Sequence, residues 1–212
     1  MNLRKFRLKA VVAIFSVLSI LMSMGITQNT QAATAYLPVV TPSIDYGYIF
    51  IGDSRFVGMN DICKMSSIYD EYVIAQNGMG YDWLVNTAMP QADAIIATNP
   101  YKRWVLIMGL GVNDLSNINS YLLKYKELSA KYNIVLTSIN PVENHEFISN
   151  STIASFNSSL RTLGLPFIDT NSVLMAEGFS TIDGLHYTAA TYIRINEIYQ
   201  SLIQDNELNH TI

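Results

Sequence analysis

A series of short apolar runs, each stopped abruptly by turn-forming residues, constrains this fold more than any other feature. Tyr48-Ile49-Phe50-Ile51 runs into Gly52, Tyr72-Val73-Ile74-Ala75 into Gln76-Asn77-Gly78, and Trp104-Val105-Leu106-Ile107-Met108 into Gly109. The run from Ile134 to Ile139 stops at Asn140-Pro141, and the shorter Pro166-Phe167-Ile168 stops at Asp169. Runs with so little polar alternation predict strands covered on both faces. Between them apolar residues recur at helical spacing: Tyr121, Leu122, Tyr125 and Leu128, then Ile153, Phe156, Leu160 and Leu163. A last helix from about Tyr187 to Ile203 places Tyr192, Ile195, Tyr199 and Leu202 on one face. Strands alternating with helices predict an α/β fold: a parallel sheet with one helix layer on each side.

The N-terminus reads differently. Arg4, Lys5, Arg7 and Lys9 precede an apolar run from Ala10 to Ile26, followed by a polar stretch and Ala33-Thr34-Ala35. A basic start, an apolar centre and a small-x-small exit describe a secretory signal peptide, expected here over residues 1–35 with cleavage after Ala35. An uncleaved anchor is the alternative, although the run is at the short limit for crossing a bilayer. No linker or internal repeat divides residues 36–212, which are expected to form one exported domain, extracellular or associated with the cell wall.

Charge and cysteine content exclude several roles. The chain holds 13 Lys and Arg against 17 Asp and Glu. All the acids lie beyond residue 35, so the remainder carries a formal net charge of −8. So acidic a body repels phosphate backbones, and no nucleic-acid partner is expected. Cys63 is the sole cysteine, which excludes an internal disulfide and reads as a small buried hydrophobe.

In parallel sheets the working surface lies beyond the carboxyl ends of the strands, and the unusual residues collect there. Gly52-Asp53-Ser54 follows the first run: Gly52 allows a sharp turn, and Ser54 stands where a helix begins, its hydroxyl exposed and its N–H free to hold an oxyanion. The plain alternative is that Asp53 or Ser54 only caps that helix. Gly78-Met79-Gly80 follows the second run and Gly111-Val112-Asn113-Asp114 the third. The Asn113 amide offers two donors to a developing negative oxygen, or belongs to an ordinary turn. In Asp183-Gly184-Leu185-His186 the carboxylate can face the imidazole across one turn, leaving the other ring nitrogen as a base. His145, in a polar loop, and His210, in the tail, read as solvated residues.

Ser, Gly, Asn and Asp-x-x-His in this order make the chain resemble the SGNH (GDSL-type) hydrolases, from about Tyr48 to Tyr199. The resemblance implies a three-layer α/β/α, flavodoxin-like fold of about five strands. It implies Ser54 as nucleophile, His186 as general base and Asp183 as the residue orienting the imidazole. The implied oxyanion hole is the Ser54 N–H, the Asn113 side chain and the Gly80 N–H, with Gly78 as the alternative because the second block leaves the register open. Arg55 stands where the family has leucine, a departure bearing on substrate preference rather than mechanism. The expected activity is ester hydrolysis through an acyl-enzyme, with no metal or cofactor, on a small-molecule or polysaccharide ester. Short acyl groups on carbohydrate or cell-wall polymers are favoured, and rings such as Tyr81, Trp83 and Tyr187 can stack on sugars. The alternatives are lipase or lysophospholipase activity, acyl transfer to a sugar hydroxyl, or a non-catalytic glycan-binding module.

Overall fold

A computed structural model of the chain describes residues 45–204. The expected signal peptide, its cleavage point after Ala35 and His210 lie outside the described residues. Strand β1 (Tyr46–Gly52) leads into helix α1 (Ser54–Cys63), and β2 (Glu71–Ala75) follows. A helical turn Tyr81–Trp83 and a π-helical segment Leu84–Ala88 then enter α2 (Met89–Thr98). The rest alternates: β3 (Arg103–Gly109), α3 (Ile118–Ser129), β4 (Asn133–Thr137), α4 (Asn150–Arg161), β5 (Phe167–Ile168), α5 (Thr170–Glu177) and α6 (Ala189–Gln204).

The five strands form one parallel sheet in the order β2-β1-β3-β4-β5, the flavodoxin-like order. Successive strand residues point to opposite faces, so each apolar run feeds both layers. Ile49, Ile51, Leu106, Met108, Ile134 and Leu136 pack against α2, α3 and α4. Tyr48, Phe50, Val105, Ile107 and Val135 pack against α1, α5 and α6. Burying each such side chain is worth roughly 1.5–3 kcal/mol, and the described domain holds together without a disulfide.

Three details depart from the sequence reading. Strand β2 lies at the sheet edge, so Tyr72 stays 40% exposed instead of being covered on both faces. Strand β4 ends at Thr137, two residues early, because the Asn157 side chain takes over both backbone groups of Ile139 (2.7 and 2.9 Å). Helices α2 and α5 carry no clear apolar stripe. Pro90 sits in the first turn of α2, where a missing N–H is tolerated, and α5 buries only Thr170 and Leu174.

The strand order reverses between β1 and β3, and the crevice outside their carboxyl ends is where such sheets bind ligands. Gly52 and Gly109 are paired across that junction. Neither has a positive φ. Both are required because the Phe56 ring of α1 lies on them, 2.4–2.5 Å from where a Cβ would stand. Close packing, rather than turn flexibility, explains Gly52, and it seats the start of α1 over the switch point.

Candidate active site

Asp53 and Ser54 divide the two readings of their motif between them. Asp53, extended at φ −102°, is the N-cap of α1, its Oδ1 accepting from the Arg55 N–H at 2.9 Å. Ser54 is then the first helical residue, 8% exposed, with its Oγ 2.9 Å from His186 Nε2. The other imidazole nitrogen, Nδ1, is 2.7 Å from Asp183 Oδ2. Asp183 Oδ1 meanwhile accepts the backbone N–H groups of His186 (2.7 Å) and Leu185 (3.0 Å). Those backbone donors, then the imidazole, hold the Asp183 carboxyl well below its ordinary range. An ionised carboxylate accepts from Nδ1–H, which leaves Nε2 free to accept from the serine hydroxyl.

The loop carrying Asp183 and His186 is closed on itself and tied at both ends. Ile182 N–H donates to His186 O at 2.7 Å, and Thr181 bridges Tyr187. Glu143 takes the backbone and hydroxyl of Thr181, while its own N–H donates to Gly184 O at 2.9 Å. Gly184 has φ +86°, and a Cβ there would stand 2.6 Å from Glu143 O. Only glycine fits both demands.

On the opposite side two loops are laced together. Asn113 Nδ2 donates to Met79 O at 2.8 Å, and Asp114 accepts from Tyr81 N–H, Tyr121 Oη and Asn117 Nδ2. In the sequence Asp114 is only part of a turn; its role in tying the two glycine-bearing loops comes from contacts with Tyr81 and Tyr121 that spacing does not show. A cleft of about 640 Å³ brings together Ser54, His186, Asn113, Asn77 and Gly78. Much of its wall is apolar, from Val57 and Ile62 on α1 and from Ile182, Leu185 and Ala189, and Asp61 of α1 adds a carboxylate. A second groove, of about 380 Å³, is lined by Gly80, Tyr81, Asp82, Trp83 and Asn117 and meets the first at Gly78 and Asn113. Gly78, at φ +73°, thus borders both grooves, whereas Gly80 borders only the second and lies against the Asp114 carboxylate. The Gly80 N–H has no hydrogen-bond partner among the described residues.

Other sequence expectations fall differently. Arg55 is 7% exposed and bonds backbone carbonyls, so it does not line the cleft beside Ser54. Tyr187 is buried with its hydroxyl on Pro141 O, out of reach of a sugar, whereas Tyr81 and Trp83 border the second groove. His145 is not simply solvated: its Nδ1 accepts the backbone N–H groups of Phe147 and Ile148 at 3.2 Å. Cys63 is only partly buried, and that burial pushes its thiol pKa up. Among the described residues no group of three or more His, Cys, Asp or Glu is placed to hold a metal, and no helix is long and apolar enough to cross a membrane.

No protein-family model and no curated protein sequence matches the chain. Solved structures do. The C-terminal catalytic domain of Streptococcus pneumoniae peptidoglycan O-acetyltransferase A aligns with TM-score 0.56 and 15% identity, over 78% of this chain and 96% of that one. A protein assigned to the G-D-S-L lipolytic family from Desulfitobacterium hafniense aligns at 0.54 and 16%, over 74% and 98%. One assigned as an SGNH hydrolase from Slackia heliotrinireducens aligns at 0.55 and 12%, over 76% and 100%. With its five parallel strands and two helix layers, the described domain has the α/β/α fold of the SGNH hydrolases.

Proposed function

We propose that the protein is an exported serine acyl hydrolase that cleaves carboxylic esters through an acyl-enzyme on Ser54. The observation that carries this reading is the continuous relay from Asp183 Oδ2 to His186 (2.7 Å) to Ser54 Oγ (2.9 Å) at the edge of an open cleft. His186 Nε2 takes the hydroxyl proton as Ser54 Oγ attacks the ester carbonyl. The tetrahedral oxyanion is held by the Ser54 N–H, the second Asn113 amide proton and the Gly80 N–H, with Gly78 as the alternative glycine. His186 then gives its proton to the departing alcohol, leaving the acyl group on Ser54. Water, deprotonated by the same nitrogen, releases the acid and restores the serine. If a sugar hydroxyl replaces water in that last step, the same residues perform acyl transfer; a peptidoglycan O-acetyltransferase domain shares the fold.

Each groove suits one half of the ester. The polar, aromatic groove beside Tyr81 and Trp83 suits the alcohol half, a neutral carbohydrate of the kind found in cell-wall polymers. The apolar wall suits the acyl half. Short acyl groups fit it, while the number of apolar residues lining it, Val57, Ile62, Ile182, Leu185 and Ala189, favours a second reading, an acyl chain of several carbons. A fluorophosphonate probe tests the whole proposal: labelling should be complete in the parent and vanish in Ser54→Ala. A folded parent that resists the probe would instead point to a non-catalytic binding module.

A further inference from the structure

Arg55 follows Ser54 directly, and Leu185 precedes His186 directly. The side chains of Ser54 and His186 meet at 2.9 Å, while Arg55 Nε donates to Leu185 O at 3.2 Å. Two neighbouring residues on α1 thus grip two neighbouring residues on the loop, one pair through the reacting atoms and the other beneath them. The guanidinium also donates through Nη1 to Asn140 O at 2.8 Å, with Nη2 3.5 Å from Pro141 O. Its Cζ lies 5.1 Å from the centre of the Tyr187 ring, and the Tyr187 hydroxyl returns to Pro141 O at 2.6 Å. Both neighbours of His186 are therefore held from below against the segment that follows β4.

A guanidinium is an expensive group to bury; the Asp53 carboxyl is near enough to feel its charge, but no carboxylate oxygen is in ion-pair contact with it among the described residues. All its side-chain hydrogen bonds go to carbonyl oxygens on two separate segments. A leucine would fill the space without that cost and would hold neither segment. The loop's other ties are within itself and to Glu143, at Thr181 and Gly184, while the side chains of His186 and Asp183 are 37% and 52% exposed. Arg55 adds a tie from a buried side chain of α1 to the residue just before His186, where exposed loop residues otherwise have the most freedom.

We propose that Arg55 is a positioning residue, a buried strut that sets the distance and angle between the Ser54 hydroxyl and the His186 imidazole. The inference rests on the reading of Ser54 and His186 given above, and it refines which residues make their geometry productive. Because a displacement near 1 Å costs up to about 10²-fold in rate, Arg55→Leu should lower kcat roughly 10- to 100-fold while KM stays within about twofold. Arg55→Lys, which keeps the charge and reaches one carbonyl but not both segments, should fall between leucine and the parent.

The test combines steady-state kinetics, well below the melting temperature of each variant, with proton NMR of the far-downfield His186 Nδ1–H. In the parent that proton should be sharp, and in Arg55→Leu broadened or shifted upfield. The NMR arm needs no substrate, so it judges the strut even if the parent hydrolyses no ester, an outcome that would sink the esterase reading alone. If Arg55→Leu does not fold, the lysine variant carries the same two measurements. A folded Arg55 variant with parental kcat and an unchanged imidazole proton would overturn the proposal, as would a loss confined to KM.

Discussion

The Asp183 carboxylate holds His186 twice: Oδ2 lies 2.7 Å from the imidazole Nδ1, and Oδ1 is 2.7 Å from the backbone nitrogen of the same residue. One side chain therefore fixes both the position of the loop and the tautomer of the ring it carries. Asp183→Asn keeps the shape but offers an amide where Nδ1–H needs an acceptor, so the ring rotates or adopts the wrong tautomer. The expected outcome is a fall in kcat of roughly 10²–10⁴-fold with the fold intact, read from ester hydrolysis beside circular dichroism.

The same contacts give a pH signature. Their donors depress the Asp183 pKa in the folded state, so the stability they contribute is present above the unfolded carboxyl pKa near 4 and lost as pH falls below it. Asp183→Asn should lower Tm at neutral pH, and the gap from the parent should close in acid. Because the side chain is half exposed, the gap should be small. An equal gap at both extremes would mean that the amide, not the lost charge, is responsible.

Asp53 has the opposite sign. Its Oδ2 is buried without a partner among the described residues, and burial outweighs the nearby Arg55 charge to push its pKa up to about 6. A carboxyl that holds its proton more tightly when folded costs stability once ionised. The cost is absent below the unfolded value near 4, grows as pH rises to about 6, and is constant above, on the order of 3 kcal/mol. Asp53→Asn keeps an acceptor for the Arg55 N–H. Its Tm relative to the parent should therefore rise by roughly 5–10 °C between about pH 4.5 and pH 8. A difference that does not change with pH would show that Asp53 titrates normally.

Those two carboxyls show where the sequence was informative and where it was not. Strands β1, β3 and β4 were legible because a buried parallel strand needs an unbroken apolar run, and Ser54, Asn113 and His186 because they stand just after such runs or in a recognisable block. The supporting contacts were not legible. Arg55 reads as an odd residue beside the serine until its carbonyl partners, 85 and 130 residues away, are seen. The choice between Gly78 and Gly80 was not legible because it rests on contacts between distant loops: Gly78 borders the cleft that holds Ser54, whereas Gly80, against the Asp114 carboxylate, borders only the second groove but keeps its N–H without a partner among the described residues. Edge strand β2 looked like the central ones because its alternation is broken by Val73, and position in a sheet is not written in a run of five residues.

Asn113 donates one amide proton to Met79 O at 2.8 Å and lines the cleft, so its second amide proton is the one proposed to serve an oxyanion. Asn113→Ala should cost roughly 10²–10³-fold in kcat, the usual loss for one oxyanion donor, with little change in KM. Ser54→Ala and His186→Ala should each abolish turnover, and combining them should be little worse than either alone. Additive losses would mean that the two residues do not act in one step.

The apolar wall makes the acyl preference measurable. Each methylene taken from water into such a surface is worth up to about 0.8 kcal/mol, close to fourfold in kcat/KM. If Val57, Ile62 and Ile182 receive the acyl chain, p-nitrophenyl esters should improve from acetate through butyrate by about tenfold and level off when the chain passes Ile182, which is 76% exposed at the mouth. Val57→Asp adds a second carboxylate to the one that Asp61 already places there, so it should remove the gain for longer chains and bring butyrate back toward acetate. Trp83→Ala acts on the other groove: it should raise KM for acetylated xylan or peptidoglycan while leaving the p-nitrophenyl series in its original order. A parent that prefers acetate and gains nothing from added methylenes would assign the apolar wall to something other than the acyl chain and restore the short-acyl carbohydrate ester as the substrate.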